Sequence, residues 1–125
     1  MPGMDLRREL QQFALTRNLH AAFVITSVGI LSLARLRLAG NASASTFEGK
    51  FEIVSLVGTL SADGPHLHIA MANSEGVTTG GHLLDGSSVY TTAEIVVGEA
   101  EGLHFTRAVD AETGFRELLI KAHRG

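Results

Sequence analysis

The amino-acid sequence predicts an α+β domain, one N-terminal helix packed on a largely antiparallel sheet of about seven strands. Three observations carry this. A single apolar stripe at helical spacing occupies the first seventeen residues. Everything after it runs in β-branched or alternating segments of strand length. Clusters of Gly, Ser, Asn and Asp cut those segments at short intervals. The 125 residues, 45% hydrophobic and 18% charged, suit one domain (1–125) with one core, its ordered body at about 5–121.

The helix is expected over about 5–17. Asp5 can cap it by accepting from first-turn amides, and Leu6, Leu10, Phe13 and Ala14 form the buried stripe. Asn18 can supply a left-handed stop. Two strands follow, 21–27 and 29–38, around a break at Gly29. GNASAST (40–46) is a small, polar loop, and FEIVSLVGTL (51–60) is a long strand in which Gly58 marks a bulge or a close approach. After the turn SADGP, HLHIAMA (66–72) and VTTGGHLL (77–84) form a hairpin around NSEG, with a bulge expected at Gly80-Gly81. DGSS is a turn, and VYTTAEIVVG (89–98) carries the strongest strand pattern. LHFTRAVD and FRELLI close as a hairpin over AETG, with Gly114 serving the turn after Asp110; FRELLIKAH also fits a short helix.

Composition removes several functional classes. There is no cysteine, so neither a disulfide framework nor a thiolate metal site is available, and any metal must sit on nitrogen or oxygen. The formal net charge is −3 and the ten basic residues form no run, which argues against a chain that binds nucleic acid chiefly by neutralising phosphates. The start MPGMDLRREL is interrupted by charge before any apolar run, unlike a signal peptide. The most apolar stretch, HAAFVITSVGILSLARLRLAG, is β-branched and carries Arg35 and Arg37, so it reads as strand and not as a membrane helix. The expectation is a soluble, cytoplasmic protein.

Half of the six histidines fall within PHLHIAMANSEGVTTGGHLLDG. His66 and His68 are two apart on a strand and share a face, about 7 Å apart along it, while Leu67, Ile69 and Met71 face a core. If Ser74-Glu75-Gly76 closes a three-residue loop with Gly76 left-handed, Asn73 pairs with Val77 and His68 falls opposite His82. A slip of one residue would turn His82 to the other face. Three neutral imidazoles suit Zn²⁺ or another first-row divalent ion and leave a fourth position open. The competing reading is a solvated polar sheet face.

Glu94 is the other candidate. It alternates with Tyr90 and Thr92 on one face of its strand, opposite to Val89, Thr91, Ala93, Ile95 and Val97. It fits a salt bridge to Arg37 or Arg107, a hydrogen bond to a ligating imidazole, or a general base acting on metal-bound water. Glu52 is a weaker case of the same kind. His20, His104 and His123 read as ordinary surface or edge histidines.

The segments GKFEIVSLVGTL, HLHIAMANSEGVTTGGHLLDGSSVYTTAEIVV and FTRAVDAETGFREL together resemble the plants and prokaryotes conserved (PPC) domain, in order from about residue 8 to 120. The resemblance implies a small α+β fold assembled as a homotrimer, with His66, His68 and His82 as a metal site. It implies a module for oligomerisation and for binding protein partners; the metal's open position could also accept a small anionic ligand. Plant members reach A·T-rich DNA through separate hooks, and the R-G-R-P core of those hooks is missing here. Plant members also carry G-R-F-E-I-L where this chain has Gly49-Lys50-Phe51-Glu52-Ile53-Val54, and lysine cannot make arginine's planar two-pronged hydrogen bond. The functional expectation is therefore a trimeric binding module with a zinc-type centre and DNA association through partners. A metal-dependent enzyme with Glu94 as general base and a direct DNA-binding protein are the alternatives.

Overall fold

A computed structural model describes residues 2–122. Helix α1 spans Leu6–Thr16, followed by seven strands: β1 Ala22–Arg37, β2 Ser45–Leu60, β3 His66–Ala72, β4 Thr78–Leu83, β5 Ser88–Glu99, β6 Leu103–Val109 and β7 Arg116–Ala122. The α+β prediction with one helix and seven strands is what the chain adopts. The Asp5 side chain accepts from the Arg8 amide and caps α1, and Asn18 takes a positive φ of 53° just beyond its end. Leu6, Leu10 and Ala14 are buried. Phe13 is not: it stays 39% exposed, with the Arg17 guanidinium 5.1 Å from its ring centroid, because it sits at the margin of the stripe.

Every strand pairing is antiparallel. β1 lies between β2 on one edge and β5 on the other, and its last residues, Leu36 and Arg37, pair with β4. Since β2 pairs with β3 and β3 with β4, strands β1 to β4 close into a ring. Leu31, Leu36, Leu60, Leu67, Met71 and Leu83 fill the core and α1 covers it. Hairpin β6–β7 forms a separate two-stranded sheet, so the short-helix alternative for 115–123 does not hold over the residues described.

Two glycine expectations need correction. Gly29 does not break the chain; β1 is one strand of sixteen residues. A Cβ at Gly29 would stand 2.8 Å from Ala93 Cα, so the glycine serves close contact with β5. Nor is there a bulge at Gly80-Gly81. The β3–β4 register runs unbroken from His68↔His82 to Ala72↔Thr78. Added β-carbons there would stand 2.7 Å from the Ile69 oxygen and 2.8 Å from the Arg37 oxygen, so both glycines let neighbouring backbones approach. Gly58 is a close approach as well: at φ +142° its missing side chain leaves room for the His66 carbonyl. Among the described residues no helix is long and apolar enough to cross a membrane.

Candidate metal centre

The β3–β4 turn sets the register of the histidines. Asn73 N–H donates to the Val77 oxygen at 3.0 Å, and the Asn73 side chain accepts from the amides of Glu75 and Val77. Gly76 adopts φ +80°. His68 therefore falls directly opposite His82. On the far side of β3, His68 stands opposite Val57, and beyond β4, His82 stands opposite Arg37. Directly paired residues share a sheet face, so Val57, His68, His82 and Arg37 form one row across four strands. His66 lies beside that row, two positions along β3.

The three imidazoles form a nearly equilateral cluster. Ring centroids are 5.3 Å apart for His66–His68, 5.2 Å for His66–His82 and 5.4 Å for His68–His82. One ligand atom from each can be chosen so that all lie within 4.8 Å of one another. Burial first, then the charge of Arg37 and the neighbouring imidazoles, pushes His82 down to about 4. Burial, followed by Arg107, His68 and Arg37, also lowers His66. Both rings are therefore neutral at pH 7, the form that ligates a metal.

The donor set fits a divalent ion of the zinc type. All three donors are imidazole nitrogens. His82 Nδ1 is buried with no hydrogen-bond partner, an arrangement that costs about 1–3 kcal/mol unless something binds there. The cluster opens onto a groove of about 910 Å³ lined also by Arg37, Leu38, Asn41, Gly81 and Phe115. Phe115 was not singled out from the sequence, and Arg37 only as a partner for Glu94; Arg37 reaches the site through the end of β1, and Phe115 through the β6–β7 turn.

Glu94 is not brought to the cluster. It is exposed on β5 and pairs with Val28 of β1. Val28 is nine positions from Arg37, roughly 30 Å of strand. Glu94 makes no salt bridge among the described residues. Glu52 is likewise exposed, paired with Ile30. His20 and His104 face each other with ring centroids 4.9 Å apart, and His123 lies outside the described residues. Lys50, at the position where plant members carry arginine, rests its ammonium 4.9 Å from the Tyr90 ring centroid.

Residues 1–101 match the Plants and Prokaryotes Conserved (PCC) domain. The chain belongs to that family. This PCC domain is 46% identical over 121 residues to part of the bifunctional protein GlmU of Synechococcus sp. (strain JA-3-3Ab), covering 97% of the chain and 20% of that protein. It thus spans about a fifth of the length of the curated relatives it matches. A hypothetical protein of Salmonella enterica superposes with a TM-score of 0.97 at 38% identity, over 99% of this chain and 90% of that one. A metal-containing protein of Archaeoglobus fulgidus gives a TM-score of 0.80 at 26% identity, over 95% of this chain and 88% of that one.

Proposed function

We propose that this PCC domain is a homotrimeric binding module that holds a divalent metal ion, zinc, on His66, His68 and His82. The convergence of three imidazole ligand atoms within 4.8 Å carries the metal reading. The unpartnered His82 nitrogen supports it, as does the likeness to an archaeal protein described as metal-containing. A bound zinc ion would supply a Lewis-acidic position open to one further ligand. The residues of the chain do the rest: β3 and β4 hold three rings rigidly on one face, and burial keeps two of them unprotonated.

Self-association is supported by apolar side chains on the sheet surface turned away from α1. Val28 shares the face of its partner Glu94, together with Val96 on β5. Val28 is 67% exposed, Val96 52% and Ile25 60%. Apolar surface gathered this way marks an interface, and closed threefold assembly buries it without leaving a sheet edge free. In this reading DNA is reached through partners, in keeping with the net charge of −3. Binding is favoured over catalysis because no Asp or Glu among the described residues lines the groove and Glu94 stands on a distant part of the sheet.

The test is elemental analysis of protein purified without chelators or affinity tags, with its mass measured by sedimentation. About one zinc per chain is expected in the parent and none in His68→Ala. A parent without stoichiometric metal ends the metal reading, and a monomeric parent ends the trimeric one.

A further inference from the structure

The groove over the histidines is positively biased. Among the described residues no Asp or Glu lines it, whereas Arg37 does. The other arginines whose charges reach His66 are occupied. Arg7 pairs with Asp85 at 2.9 Å, and Arg107 donates to the Arg116 carbonyl oxygen at 2.6 Å. Arg37 has neither an ion pair nor a side-chain hydrogen bond among the described residues. Its place in the row, directly opposite His82, sets its base on the same face as the imidazoles, with β-carbons about 5 Å apart. A planar guanidinium beside the open position of a metal matches a two-oxygen anionic head. Apart from Asn41, the remaining side chains of the wall are apolar: Leu38, Ala39, Ala42 and Phe115. At about 910 Å³ the groove has the size of a small-molecule site.

We infer that this groove binds a small organic anion, a carboxylate or phosphate ester with an apolar body, its head held between Arg37 and the metal and its body against Leu38 and Phe115. The inference rests on the metal reading above. A cation would meet arginine charge with no carboxylate to balance it, and a neutral apolar molecule would leave the guanidinium without a partner.

The test is calorimetric titration of zinc-loaded protein with benzoate, phenyl phosphate, benzamide and benzylamine, with zinc content measured first. Benzoate or phenyl phosphate should bind, and the stronger of the two identifies the head group. Benzamide and benzylamine should bind at least tenfold more weakly. Arg37→Gln should keep its zinc and lose at least tenfold in affinity for the anion, and Arg37→Lys should recover part of it. In cobalt-substituted protein the anion should shift the visible absorption of the metal. Zinc-loaded parent that binds neither anion, binds benzamide equally well, or is unaffected by Arg37→Gln overturns the inference. Parent that carries no zinc overturns the metal reading itself, before any anion is added.

Discussion

At the scale of single residues, two of the three rings, His66 and His82, are held toward the neutral form by their surroundings. His82 titrates near 4 in the folded chain against an ordinary value of 6.5, and His66 is lowered too. The unfolded chain therefore binds protons at these sites in a pH range where the native chain does not. By linkage, stability falls as pH drops from about 6.5 toward 4, and His82 contributes no further loss below that. Metal-free protein should show a falling denaturation midpoint across that window in urea titrations at several pH values. His82→Gln, which has nothing to protonate, should show a shallower decline, and an equal slope would remove His82 as a cause. A bound metal ion would raise the midpoint on top of this. A chelator should lower the unfolding free energy at pH 7, by about 2.7 kcal/mol if free zinc had stood at a hundred times its dissociation constant. Asp85 is lowered too, in a more acid window. Burial pulls its carboxyl up, but the hydrogen bonds and charges of Arg7 and Arg8 outweigh this and leave it below its ordinary 3.8. That ion pair contributes stability above pH 3.8, lost only as the medium becomes more acid.

At the scale of elements, the β3–β4 hairpin was legible because its determinants are local. An alternating H-x-H strand, an Asn able to hold the turn through its side chain, and a glycine for the left-handed position fix the register within twelve residues. What escaped the sequence was non-local. Arg37 joins the site because the end of β1 returns to β4, a pairing between segments some 45 residues apart with no local signature. Gly29 looked like a break for the same reason, since the backbone it makes room for belongs to β5, more than 60 residues later. Gly58 is where an element supports the site directly. A methyl group there would overlap the His66 carbonyl oxygen, and φ +142° disfavours any other residue. Gly58→Ala should destabilise the fold by about 1–3 kcal/mol and weaken zinc binding, because β2 must shift away from the strand that carries two ligands. Chemical denaturation and zinc titration of the variant check both, and unchanged zinc affinity would show that β3 tolerates the shift.

At the scale of the whole molecule, the proposed interface and the proposed metal centre lie apart on the sheet. Ile25 and Val28 lie on the first half of β1, while the histidine row crosses its last residue. All three candidate ligands come from one hairpin of one chain, so their convergence needs no partner. Ile25→Asp places a charge on a side chain that is 60% exposed in the single chain. Such a change usually alters monomer stability by no more than about 0.5 kcal/mol, yet a buried, unpaired carboxylate at an interface costs far more. The variant should sediment as a monomer, keep its fold by circular dichroism, and still bind one zinc per chain. A variant that stays trimeric would move the interface elsewhere on the surface. A folded monomer that has lost its zinc would mean that assembly holds the histidine row in shape, although the strand order sets the two proposed sites apart.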